Sequence, residues 1–123
     1  MVVGVGVDII EVARIRAALE RPRTGERFRA RVFTPAEINY CSRRRNAYES
    51  YAARFAAKEA VIKTLGRACG WREIEVTRTN GPPQIRVAGR AAAYAETLRV
   101  ERWWLSLSHS DTMAIAYVVA ESG

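Results

Sequence analysis

Trp103-Trp104-Leu105-Ser106-Leu107-Ser108-His109-Ser110-Asp111-Thr112-Met113-Ala114-Ile115-Ala116-Tyr117-Val118-Val119-Ala120 is two apolar runs divided by a few polar residues. The spacing predicts closing strands over Trp103–Ser108 and Met113–Ala120 around Ser110-Asp111-Thr112. A connection this short joins antiparallel neighbours, because a parallel pair needs a crossover of a dozen residues or more. Trp103 and Trp104 must point to opposite faces. Both are expected in the core, with a subunit contact as the alternative for one of them.

Working outward, Glu73–Thr79 and Gln84–Val87 read as a second strand pair joined through Asn80-Gly81-Pro82-Pro83, and Ala91–Arg99 as an alanine-rich helix. Val2–Ile10 alternates as a strand, with Val3, Val5, Val7 and Ile9 on one face and Gly4, Gly6 and Asp8 on the other. Two glycines beside a lone carboxylate leave room for something bulky to approach the backbone. Glu11–Leu19 reads as a helix with Val12, Ile15 and Leu19 inward, leaving Arg14, Arg16 and Arg21 to other faces; Pro22–Gly25 reads as a loop. Thr34-Pro35-Ala36-Glu37 has the cap, the first-turn proline and the capping-box glutamate of a helix start. That short helix runs toward Cys41 and ends in Arg43, Arg44 and Arg45. A longer helix is expected over Tyr48–Leu65, with Gly66 placed to cap its end. The order is strand, three helices, two strands, helix, two strands. Hairpins without repeated βαβ units indicate an α+β fold: one small domain over 1–123 with a mainly antiparallel sheet packed on helices. Five short strands make a thin core, so an oligomer sharing cores or sites is expected.

The bulk composition agrees with one folded domain: 123 residues, 49% apolar and 27% charged. No apolar run approaches the ~20 residues a membrane helix needs. The first residues lack the basic lead and cleavage site of a signal peptide. Two cysteines, Cys41 and Cys69, are too few for a disulfide framework or a cysteine-rich zinc site, and a cytoplasmic protein with free thiols is expected. The net charge is +7, with nearly all the bases arginine. Either the surface is simply basic or the partner is anionic: a nucleic acid, a phosphorylated cofactor or an acidic protein.

Glu59 is the most informative position. Tyr48, Tyr51, Ala52, Phe55 and Ile62 form an apolar stripe at helical spacing, and Glu59 falls inside it. A carboxylate so placed must be paired or bind a metal. An ion pair with Lys63, one turn on, is one reading and a functional role the other. Asp8 alone reads as a helix cap. Together the two could supply oxygens to Mg²⁺, which takes one or two carboxylates and keeps waters and substrate phosphates for the rest of its shell. His109, the single histidine, stands among serines at a strand end; phosphate binding, a local turn and a Ser-His pair are all open, although no nucleophile motif accompanies it. Neither a G-x-G-x-x-G nor a G-x-x-x-x-G-K-[ST] loop occurs, which excludes the common dinucleotide and P-loop sites.

Three segments stand out together: Gly4-Val5-Gly6-Val7-Asp8-Ile9; Arg54-Phe55-Ala56-Ala57-Lys58-Glu59-Ala60 followed by Lys63 and Leu65-Gly66; and Ser106-Leu107-Ser108-His109-Ser110 with Ala114 and Ala116 after it. In this order they resemble the holo-acyl-carrier-protein synthase family, the small bacterial phosphopantetheinyl transferases. The resemblance implies transfer of 4′-phosphopantetheine from coenzyme A to a serine of an acidic acyl carrier protein, with adenosine 3′,5′-bisphosphate released. It implies Mg²⁺, with Mn²⁺ as an alternative, held by Asp8 and Glu59, and Lys63 on the pyrophosphate. His109 and Ser110 would lie near the nucleotide phosphate, Arg44 and Arg45 near the ribose phosphate, and Arg14 and Arg21 on the carrier protein. It also implies a homotrimer with active sites between subunits. Glu59 or a metal-ordered water would accept the serine proton. Two stretches depart from the family pattern: Gly66-Arg67-Ala68-Cys69-Gly70-Trp71, and Asn80-Gly81-Pro82-Pro83, where a lysine is usual. A small nucleic-acid-binding protein is the rival reading; it leaves Glu59 unexplained and lacks a face of interleaved aromatic and basic residues. A catalytically dead family member serving as an assembly subunit is the second, against which the intact Asp8, Glu59 and Lys63 argue.

Overall fold

The chain runs β1 (Val2–Glu11), α1 (Val12–Glu20), α2 (Gly25–Val32), α3 (Pro35–Ser42), α4 (Ala47–Leu65), β2 (Ile74–Thr77), β3 (Gln84–Val87), α5 (Gly89–Thr97), β4 (Arg102–His109) and β5 (Met113–Glu121). A single 3-10 turn, Trp71–Glu73, leads into β2. This computed structural model describes residues 1–78 and 81–123. The α+β class and the five strands agree with the sequence, but four helices rather than three precede β2. The extra one, α2, has only two large apolar residues, Phe28 and Val32, set four apart among charges. That repeat is too short to stand out as a helical pattern. Thr79 and Asn80 of the expected hairpin lie outside the described residues; β2 stops at Thr77, and Glu73 belongs to the 3-10 turn.

Every strand pairing is antiparallel. The main sheet has the order β1-β5-β4, and β2 and β3 form a separate two-stranded sheet. Helix α4 crosses the inner face of the main sheet and also packs against β2, α1, α3 and α5. Small residues on both sides allow the close approach: Ala114, Ala116, Val118 and Ala120 of β5 are buried, as are Ala52, Ala56, Ala57 and Ala60 of α4. Gly6 allows the nearest contact, because a Cβ there would overlap the Ala60 carbonyl oxygen. The bulky neighbour anticipated by Gly4 and Gly6 is therefore α4. Gly66 ends α4 in the left-handed region, φ 73°, where a side chain would be strained.

Two features of α4 differ from the helical-stripe reading. The deepest face is the alanine run, while Phe55, Glu59 and Ile62 are only half-buried at its margin. Lys58, beside Glu59, is the residue that is fully buried. Its Nζ lies 2.7 Å from Glu37 Oε1 and donates to the carbonyls of Trp71, at 3.1 Å, and Ile74. Glu37 also completes the capping box of α3, accepting from the Thr34 amide at 2.9 Å, and accepts from the Val76 amide at 2.8 Å. One buried ion pair thus ties α3 and α4 to β2.

The valine face of β1 lies outside the chain's own core. Val5, Val7 and Ile9 are 56%, 46% and 60% exposed, beside exposed Trp104 and Tyr117 on neighbouring strands. Trp103 packs inward, so the two tryptophans do take opposite faces. Among the described residues, no helix is long and apolar enough to cross a membrane.

Candidate functional site

Asp8 follows Gly6 by two residues on the inner face of β1, so the contact that seats β1 against α4 also sets the aspartate beside that helix. The residues it meets there stand one turn apart, Glu59 and Lys63. Lys63 Nζ donates to Asp8 Oδ1 at 2.9 Å and to the Val7 carbonyl at 3.0 Å. The lysine therefore pairs with Asp8 and not with Glu59, against the helix ion pair that sequence spacing allows. Nor does Asp8 cap α1: it sits within β1, and α1 starts after Glu11 with no side-chain cap.

Glu59 is left with no hydrogen-bond or ion-pair partner among the described residues. Burial raises its carboxyl above the ordinary carboxylate range, the nearby Asp8 charge raises it further, and Lys63 opposes both. Two facing carboxylates, one without a donor, are a site that a cation would relieve. No cluster of three or more His, Cys, Asp or Glu side chains suited to a metal occurs among the described residues. An ion here would take two carboxylate oxygens and other oxygens for the rest. That donor set fits Mg²⁺.

The remaining candidates lie apart from this cluster. His109 and Ser110 are exposed at the far end of β4. His109 shares the inner side of the sheet, but two strands over and two residues along from Asp8, roughly 12 Å by strand geometry. Ser110 Oγ accepts from the amides of Thr112, at 3.3 Å, and Met113, at 3.2 Å, which holds the β4–β5 turn. No hydrogen bond among the described residues joins His109 to either adjacent serine, so a Ser-His pair gains no support. Arg44 and Arg45 line a cavity with Arg43, Tyr40 and Arg78. Arg14 is exposed on α1, and Arg21 borders a groove between α1 and α2 with Arg27, Phe28 and Arg31. Arg27 and Arg31 were not legible as site candidates, because their i, i+4 relation exists only once α2 is known to be a helix.

Residues 4–118 match the pattern of the 4′-phosphopantetheinyl transferase superfamily. The chain belongs to this superfamily. A holo-[acyl-carrier-protein] synthase of Desulforudis audaxviator is 48% identical over 126 residues, which cover 98% of this chain and 93% of that protein. Among solved structures, the holo-[acyl-carrier-protein] synthase of Neisseria meningitidis superposes with a TM-score of 0.87 at 29% identity, covering 99% of this chain and 100% of that one. The Bacillus anthracis synthase, solved in complex with CoA (3′,5′-ADP), does so with a TM-score of 0.79 at 33% identity, covering 100% and 99%. The chain is thus an enzyme of the phosphopantetheinyl transferase class, on that class's α+β fold. Membership of a transferase superfamily also counts against the reading as a nucleic-acid-binding module.

Proposed function

We propose that this chain moves the 4′-phosphopantetheine of coenzyme A onto a serine of an acidic apo acyl carrier protein and releases adenosine 3′,5′-bisphosphate. The observation that carries the reading is the gathering of Asp8, Glu59 and Lys63 at the β1–α4 contact. In the reaction the serine oxygen bonds to the β-phosphorus of coenzyme A and the bond to the bridging oxygen of the adenosine bisphosphate breaks. The leaving oxygen takes the electron pair, and the serine proton must go to a base. Glu59 serves as that base, directly or through a water that it orients. Lys63 places a positive charge on the pyrophosphate as charge builds there. Asp8 and Glu59 would hold Mg²⁺, or Mn²⁺ in its stead, which supplies further positive charge to the pyrophosphate.

Arg44 and Arg45 serve the ribose phosphate, and His109 with Ser110 the nucleotide phosphate. The separation of His109 from Asp8 within one chain, roughly 12 Å by strand geometry, favours a site completed by a second copy. The exposed Val5, Val7, Ile9, Trp104 and Tyr117 face supplies a surface for such copies, in a trimer. Arg14 and Arg21 receive the carrier protein's acidic surface, and the net charge of +7 steers it there. The enzyme works in the cytoplasm, alongside its donor.

The reading is tested by chromatography of a reaction with coenzyme A, an apo carrier protein and Mg²⁺. Adenosine 3′,5′-bisphosphate should appear in a one-to-one ratio with modified carrier and stop when the metal is chelated. Product formed equally well without a divalent cation would remove the metal from the scheme.

A further inference from the structure

Arg43, Arg44 and Arg45 of the loop between α3 and α4 and Arg78, the first residue after β2, line one cavity of about 620 Å³. Ala36, Asn39, Tyr40 and Asn46 complete the lining, and none of the lining residues is acidic. Four guanidinium groups elsewhere, those of Arg16, Arg29, Arg86 and Arg90, each face a glutamate. Among the described residues, none of the four around the cavity has a carboxylate within ion-pair distance. A further charge lies close by. Arg54 is 4% exposed, sits over the Tyr40 ring at 4.2 Å, a ring that Arg44 also approaches at 5.0 Å, and has no hydrogen-bond partner for Nε. Gathering like charges without a counterion is unfavourable, so the arrangement calls for a bound anion.

We infer that Arg78 is a binding and specificity residue for the ribose 3′-phosphate of the donor nucleotide. The inference rests on the proposed donor, coenzyme A. Arg43–Arg45 all rise from the one short loop between α3 and α4. Arg78 follows β2 of the separate β2–β3 sheet and is the cation that a second element adds to the lining. The other base of that hairpin, Arg86, is taken up by Glu75 at 3.7 Å, and the turn carries Pro82 and Pro83 where a basic residue could have stood. A terminal phosphate monoester is the group that rewards this geometry. It carries up to two charges and three free oxygens, enough to accept forked guanidinium pairs from two separate elements at once.

The test compares coenzyme A with 3′-dephospho-coenzyme A as donors for wild type, Arg78→Ala and Arg78→Lys. Arg78 is exposed, so the fold should survive, and an unchanged melting curve checks this. Losing one charge-assisted contact should raise KM for coenzyme A roughly tenfold to a hundredfold in Arg78→Ala. The value of kcat and the KM for the dephospho donor should hold, and Arg78→Lys should recover part of the loss. Calorimetry should show the same selective weakening for adenosine 3′,5′-bisphosphate but not for adenosine 5′-monophosphate. If Arg78→Ala affects both donors equally or neither, Arg78 has no such role. If wild type neither binds nor uses coenzyme A, the proposed donor is wrong and the assignment of Arg78 fails with it.

Discussion

Replacing Lys58 by Met should destabilise the protein more than any exposed substitution, although the two side chains have similar length. Lys58 and Glu37 are both fully buried and 2.7 Å apart. Lys58→Met would leave the Glu37 carboxylate with the Thr34 and Val76 amides but no opposite charge, and would leave the Trp71 and Ile74 carbonyls without the ammonium donor. Removing one member of a buried pair costs about 3–5 kcal/mol. A chain of this size loses on the order of 4 °C of melting temperature per kcal/mol, so the fall should be roughly 10–20 °C. Thermal and urea denaturation at pH 7 and one protein concentration measure it. Glu37→Gln should cost a comparable amount by stranding the ammonium. The double variant should cost less than the two singles added, by about 1–3 kcal/mol. If each single variant melts within about 4 °C of wild type, or the costs simply add, the pair does not tie α3 and α4 to β2 as argued.

Three further expectations can be checked alongside it. Gly6→Ala would press a methyl group against the Ala60 carbonyl; it should destabilise by about 1–3 kcal/mol and, by shifting β1 and with it Asp8, lower kcat at least tenfold. Val7→Asp on the exposed sheet face should turn a sedimenting oligomer into single chains, and a wild type that already sediments as a monomer would refute the proposed trimer. Burial pushes the Cys41 thiol up to about 11, and burial with the Glu73 charge also raises Cys69. At pH 8 both are protonated thiols, so a disulfide reagent should label half-buried Cys69 slowly and fully buried Cys41 only in denaturant. Two rapidly labelled thiols in the native protein would contradict that burial.

Much of the site was legible because each part of it breaks a local pattern. Two glycines and a carboxylate interrupt an otherwise β-branched strand, and Glu59 interrupts a run of apolar residues on a helix. What sequence could not give was the pairing. Spacing along α4 offers Lys63 to Glu59, whereas the fold brings β1 against α4 and hands Lys63 to Asp8. Lys58 was hidden for a related reason: its counter-charge, Glu37, is distant in sequence and already has a local explanation in the capping box of α3. The same holds for α2, whose helical character depends on packing Phe28 and Val32 rather than on a long repeat of its own. The exposed Val5–Ile9 face shows the opposite limit. Alternation along β1 separates two faces but does not say that the chain's own core takes the glycine side.

The central claim is tested most directly by weighing an apo acyl carrier protein after incubation with coenzyme A, Mg²⁺ and either wild type or Glu59→Gln. Wild type should add one phosphopantetheine to the carrier serine. Glu59→Gln should add none on the same timescale while melting like wild type. An unmodified carrier under conditions where an established transferase succeeds would contradict the proposed activity, and a Glu59→Gln variant that transfers at the wild-type rate would remove Glu59 from the site.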